Sequence, residues 1–230
     1  MKLLAFDTST ERLSIAVQHG ARQWRHEGAG GAQASSTLIP EALRLLAEAG
    51  LSLRALDAIV FGRGPGSFTG LRTACSVAQG LAFGAGVPVL PLDTLAAVAE
   101  AARLTHGCTQ VLAWLDARMN QVYAAPWVWH DATGWALQGE TTVGAPEALV
   151  LPDAPATGWV LAGNAAATYG ARLPAPLQGL PQHEAWPGAT ALLSLAPAAL
   201  AAGQAVPAEQ ALPLYVRDKV ALTTAERMTP

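Results

Sequence analysis

Two short stretches of the chain hold the residue types from which a phosphate or metal site is built. The first is Asp7-Thr8-Ser9, a carboxylate and two hydroxyls between apolar runs. A carboxylate in such a turn can hold hydrated magnesium, but the same three residues also make an ordinary turn whose side chains bond back to the backbone. The second is GRGPGSFTGLR, Gly62 to Arg72, with four glycines and two hydroxyls ahead of the helix-like TACSVAQGLAFG. A glycine-rich loop opening a helix can present backbone N–H groups to an anion, and Arg63 or Arg72 could assist. The P-loop pattern fails, because Gly70 is followed by Leu71 and no lysine is near. The dinucleotide pattern fails too, because Ser67 stands where a third glycine is required. The alternative is a rigid turn at Gly64-Pro65-Gly66, with Ser67 or Thr69 capping the helix.

Other reactive residue types are scattered. His19, His26, His106, His130 and His183 form no HxxxH or HExxH pair, Cys75 and Cys108 form no CxxC motif, and no G-x-S-x-G elbow occurs. Asp116-Ala117-Arg118 suits a turn or internal salt bridge, with a contact to ligand or partner as the alternative.

The elements that must position these residues follow from hydrophobic periodicity. Leu3 to Phe6 and Leu13 to Val17 predict a β-hairpin with Asp7 at its tip, and Pro40 to Ala49 predicts a helix ending at Gly50. A strand from Ala58 to Phe61 runs into the glycine loop. Its following helix ends near Gly84 and Gly86, before a strand from Val87 to Leu92 and a helix from Thr94 to about Arg103. VLAWLDARMNQVYAA repeats the layout of LLAFDTSTERLSIAV, with Asp116 in the place of Asp7. Further on, Trp159 to Ala162 predicts a strand, Thr190 to Ala202 an alanine-rich helix interrupted at Pro197, and Leu212 to Arg217 an ordered segment. Thr223 to Pro230 is expected to be mobile. The pattern is α/β, divided as residues 1–106, 107–205 and a tail 206–230.

The helix after the glycine loop has a face of its own. Ser76, Gly80 and Gly84 recur every four residues, with Thr73 and Val77 beside them, so small side chains line one side. Such a face admits close approach of another helix, either within the chain or from a second one.

Composition bounds the rest. The chain of 230 residues is 51% hydrophobic, enough for a sizeable core. A net charge of -3 with 13% charged residues gives no basic face for independent nucleic-acid binding, so any RNA is expected through a partner. Isolated cysteines, no signal-peptide pattern and no apolar run near 20 residues point to a cytoplasmic protein off the membrane.

LLAFDTSTERLSIAV, the segment from Leu38 to Ala99 containing GRGPGSFTGLR, LDARMNQVYAA and LPLYVR together resemble the TsaB family of bacterial tRNA threonylcarbamoyladenosine biosynthesis proteins. The resemblance covers the chain to about residue 125 and resumes at the tail. It implies two related domains of the actin, Hsp70 and sugar-kinase (ribonuclease H-like) type, the second smaller and looser. It also implies a noncatalytic subunit with no cofactor of its own, pairing with TsaD and joined by the ATPase TsaE. Alone, the subunit pairs with a second copy. The same resemblance puts the docking surface on the N-terminal helices, with Thr69, Gly70, Thr73, Ser76, Val77, Gly80 and Gly84 as interface residues. ATP or ADP with magnesium at the partner junction, with Asp7, Thr8 and Ser9 as its candidate contacts, is the weakest implication. Ala34 stands where many family members carry a histidine. Rival readings are a small-molecule phosphotransferase of the same superfold, using Asp7, and a peptidase.

Overall fold

The computed structural model describes residues 1–152 and 158–217. Its first five strands form one sheet: β1 (Lys2–Asp7), β2 (Arg12–His19), β3 (Arg22–Ala29), β4 (Ala58–Gly64) and β5 (Val89–Asp93), in the spatial order β3-β2-β1-β4-β5. β1, β2 and β3 run antiparallel, while β4 and β5 are parallel to β1. A second sheet contains β6 (Gln110–Arg118), β7 (Gln121–His130), β8 (Gly134–Leu137), β10 (Trp159–Gly163) and β11 (Gln182–Glu184) in the order β11-β10-β6-β7-β8. The short β9 (Thr142–Gly144) pairs with β7. Counted from the first strand of each sheet, the two orders are the same, so the repeated strand-Asp-strand layout is a repeated topology.

Alternation along β1 explains the layering. Leu4 and Phe6 face one core; Leu3 and Ala5, pointing the other way, face another. A strand buried on both faces needs cover on both. One face carries α1 (Ala34–Glu48) and α2 (Phe68–Ala85), which bury Leu38, Leu45, Ala74 and Ala78. The other carries α6 (Ala189–Ala201), whose Leu192, Leu193 and Ala196 meet Leu3, Val60 and Leu90. α3 (Thr94–His106) packs Leu95, Val98 and Ala102 on Val111, Ala113 and Leu115 of the second sheet. Thus α3 connects the two sheets and packs on the second, whereas α6 follows the second sheet and packs on the first. The far face of the second sheet is closed by the short helices α4 (Ala166–Tyr169) and α5 (Ala175–Gln178) around Trp114 and Leu161.

Caps set the helix ends. Asp93 accepts hydrogen bonds from Leu95 N at 2.8 Å and Ala96 N at 3.0 Å, and Gly86 and Gly107 take left-handed conformations after α2 and α3.

Two expectations are corrected and one strand is added. α1 starts at Ala34, with Pro40 inside it, because burial of Ala34 and Leu38 extends a helix through residues lacking obvious periodicity. α6 runs unbroken through Pro197, held by burial of Leu193, Ala196 and Ala199 on both sides of the proline. β3 was not foreseen because an edge strand with alternating exposed residues shows no apolar pattern. The segment Thr223 to Pro230 lies outside the described residues. Among the described residues, no helix is long and apolar enough to cross a membrane.

Candidate functional site

The two stretches that could do chemistry are packed on each other. A Cβ on Gly62 would lie 1.8 Å from Asp7 Oδ2, one on Gly66 2.6 Å from Ser9 Cβ, and one on Gly70 1.9 Å from Thr8 O. Those separations are below van der Waals contact, so glycine is required by the approach of the Asp7-Thr8-Ser9 turn. Thr8 Oγ1 donates to Gly70 O at 2.7 Å, and Ser67 N donates to Ser9 O at 2.7 Å. The remaining glycine, Gly64, has φ 124° and faces Leu214 O. Ser67 caps α2, accepting from Gly70 N at 3.5 Å, while Thr69 lies inside the helix. Asp7 and Thr8 fill the space beside Gly62 and Gly70, while Gly66 and Ser67 border a cleft.

Asp7 is 1% exposed and accepts Ser9 N at 2.8 Å and Ser9 Oγ at 2.6 Å, both on Oδ1. Oδ2 has no partner. Burial pushes this carboxyl up to about 7; the Ser9 hydrogen bonds oppose the shift, and the charge of Glu27 adds slightly to it. A carboxyl enclosed this way, beside buried Thr8 and Ser9, offers no open face to hydrated magnesium or a nucleotide phosphate. The residues do not fit the group that their positions suggested.

Asp116 repeats the turn geometry: its Oδ1 accepts Arg118 N at 2.7 Å. It also pairs with Arg118 at 3.3 Å and accepts from Tyr169 at 3.0 Å, and Asp116 N donates to Asn164 Oδ1 at 2.9 Å. Both hairpin tips line a cleft of about 310 Å³, closed by the segment Leu214 to Arg217. Leu214 N donates to Arg63 O at 2.7 Å, the Tyr215 ring packs against Phe68 at 5.4 Å with a 35° tilt, and Arg217 donates to Ala117 O and Gln121 Oε1. Arg72, expected to assist an anion, lies over the Phe68 ring at 4.0 Å and donates to Tyr215. The clasping role of LPLYVR left no mark in periodicity or composition.

The small-residue side of α2 faces outward. Ser76, Gly80 and Gly84 are exposed, Thr73 and Val77 are half-buried, and none of the described residues lies within 4 Å of a Cβ built on Gly80 or Gly84. Thr69 is exposed as well, whereas Gly70 is buried beneath Thr8 and belongs to the inner side of the helix. Phe83 is 81% exposed on α2, and Ile39 and Leu43 are exposed on the neighbouring α1. Ala34, at the family's histidine position, is fully buried.

Sequence spacing missed one pair: His106 and His183 stack with ring centroids 4.1 Å apart. Among the described residues, no group of three or more His, Cys, Asp or Glu side chains is placed to hold a metal ion.

Two sheets of identical strand order, each opening on a hairpin with an aspartate at its tip, define a duplicated ribonuclease H-like protein of the actin and sugar-kinase class. Comparison with known proteins narrows this. The family model described as TsaD, tRNA N6-adenosine threonylcarbamoyltransferase, matches residues 30–155. The chain is 33% identical over 225 residues to the Escherichia coli tRNA threonylcarbamoyladenosine biosynthesis protein TsaB, covering 96% of both chains. It is 45% identical over 123 residues to TsaB of Haemophilus influenzae, a match spanning 54% of this chain and 52% of that one. A solved Pseudomonas aeruginosa structure, described as similar to the peptidase YeaZ, superimposes with a TM-score of 0.86 at 43% identity. It covers 94% of this chain and 99% of its own. The chain belongs to the TsaB family.

Proposed function

We propose that this chain is a noncatalytic cytoplasmic subunit for forming threonylcarbamoyladenosine at the tRNA adenosine next to the anticodon. It binds a TsaD-type catalytic subunit through the outer faces of α1 and α2, carried by residues 1–106. Residues 107–205 complete the fold, and Leu214 to Arg217 of the tail clasp the cleft. A TsaE-type ATPase joins the pair, tRNA is met only through the assembly, and the free chain pairs with a second copy by the same face. Thr69, Thr73, Ser76, Val77, Gly80 and Gly84 are the α2 residues of that contact; Gly70 supports the helix from inside.

The observation that carries this reading is the outward placement of Gly80 and Gly84. Within a helix each glycine costs about 0.5–1 kcal/mol relative to alanine, and neither is required by any of the described residues. Beside exposed Phe83, Ile39 and Leu43 they leave a shallow apolar surface that a partner helix can approach closely. The enclosed Asp7 carboxyl supports the absence of phosphate chemistry on this chain.

The test is reconstitution with the TsaD- and TsaE-type subunits of the same organism and unmodified tRNA. Modification should require this chain, and Gly80→Arg should abolish both pairing and modification while leaving the fold intact. Full modification without the chain would end the proposal.

A further inference from the structure

Among the described residues, the non-glycine positions with positive φ are three in a row: Arg118 at 63°, Met119 at 55° and Asn120 at 58°. They form the tip between β6 and β7, where Arg118 pairs with Gln121 and the register shifts between Asp116 and Arg118. A two-residue hairpin turn with both residues left-handed favours Asn-Gly, because bulkier side chains are strained there. Here the two are Met119 and Asn120, and Met119 is 67% exposed, so neither burial nor glycine relieves the turn. Arg217 grips the tip from the tail: its guanidinium donates to Ala117 O at 3.1 Å and Gln121 Oε1 at 2.7 Å and reaches Met119 Sδ at 3.3 Å. At its other end the tail is held by the first sheet's loop and α2, through Leu214 N on Arg63 O and Tyr215 against Phe68 and Arg72. It therefore bridges the two sheets across the cleft.

Closure carries its own costs. The tip stays in a conformation that unbraced residues of these types avoid, and among the described residues Arg217 Nε is buried without an acceptor. From Leu212 to Arg217 no residue is fully buried, in contrast to Ala211 just before them. Segments with few buried contacts open locally while the rest of a chain stays folded. We propose that Leu212 to Arg217 and the β6–β7 tip form a releasable clasp over the cleft. Engaged, Arg217 holds the tip left-handed and the cleft covered. Released, the tip relaxes, and Ser9 and Tyr123, buried residues that line the cleft, gain access to solvent. Tip strain and tail position are then one equilibrium, so a change at either moves the other.

Two measurements on the full chain read the two halves of the clasp. Native-state trypsin cleavage after Arg118, whose side chain is 74% exposed, reads the tip, because the turn must leave its hairpin to be cut. Amide hydrogen exchange over residues 212–217 reads the tail, with β4 as the monitor of the whole fold. The tail should exchange about a hundredfold faster than β4, which marks an opening short of global unfolding. Arg217→Ala should speed cleavage after Arg118 about tenfold with β4 exchange unchanged, and Arg217→Lys, which keeps the charge but loses the fork, should fall between. Asn120→Gly fits the left-handed turn without strain, so it should slow both cleavage and tail exchange about threefold. A tail with no part in the tip's equilibrium would not respond to that substitution. The proposal is overturned if the tail exchanges only as fast as β4, or if Arg217→Ala and Arg217→Lys leave cleavage unchanged. It is equally overturned if Asn120→Gly slows cleavage while tail exchange stays as it was.

Discussion

Gly70 and Thr8 are locked together: Thr8 Oγ1 donates to Gly70 O at 2.7 Å, and a Cβ on Gly70 would come within 1.9 Å of Thr8 O. The obstacle is backbone, which cannot swing aside as a long side chain can. Gly70→Ala should therefore destabilise the chain by about 2–3 kcal/mol, as overpacking of a tight site does. Urea unfolding would measure it, and a midpoint equal to that of the parent chain would refute the packing role assigned to this glycine.

Gly80 and Gly84 present the opposite case, because none of the described residues meets an added Cβ there. Alanine at either position should raise the stability of the isolated chain by about 0.5–1 kcal/mol. Affinity for the TsaD-type partner should fall at the same time. Thermal unfolding and partner titration on the same variants separate the two effects, and unchanged affinity in the double variant would remove these glycines from the interface.

The Asp7 carboxyl, raised by burial to about 7 from 3.8, binds a proton in the folded chain that the unfolded chain has already released between those values. Stability should then decline as pH rises from about 4 to 7, at up to roughly 1.4 kcal/mol per pH unit from this group, and level off above. Asp7→Asn keeps an acceptor for Ser9 N and removes the titration. Its difference from the parent chain should grow in its favour across that window. Parallel pH profiles for the two proteins would contradict the burial account.

Glu100, 1% exposed, joins three elements by accepting from Arg103 on its own helix, Ser194 of α6 and Trp135 of β8. Burial pushes its carboxyl up, but these hydrogen bonds outweigh burial and hold it below the usual glutamate range. Its contribution is present above that range and is lost as pH falls through it. Glu100→Ala should cost about 3 kcal/mol, since it leaves Arg103 and the Trp135 N–H without their acceptor. Guanidinium unfolding at pH 7 and pH 4 should show the deficit shrinking at the lower pH.

Much of this arrangement was legible beforehand for a physical reason: β1, β4, β6 and β10 are short apolar runs, and period and caps identify such elements without reference to the rest of the chain. Repetition of strand, aspartate and strand at Asp7 and Asp116 was also visible, and the matching sheet orders give it structural meaning. β3 and the first turns of α1 were not legible, because partners elsewhere in the chain stabilise those polar stretches.

By itself the sequence determined what Gly62, Gly66 and Gly70 could not do: with no lysine and the wrong spacing, they make neither a P-loop nor a dinucleotide loop. It also determined that Ser76, Gly80 and Gly84 share one side of a helix, since 3.6 residues per turn require it. Only the tertiary structure decided which way that side faces and what the loop glycines are for. Close approach between Thr8 and Gly70 joins residues far apart in the chain, and local periodicity carries no information about such a contact. The same holds for Arg63, whose carbonyl holds Leu214.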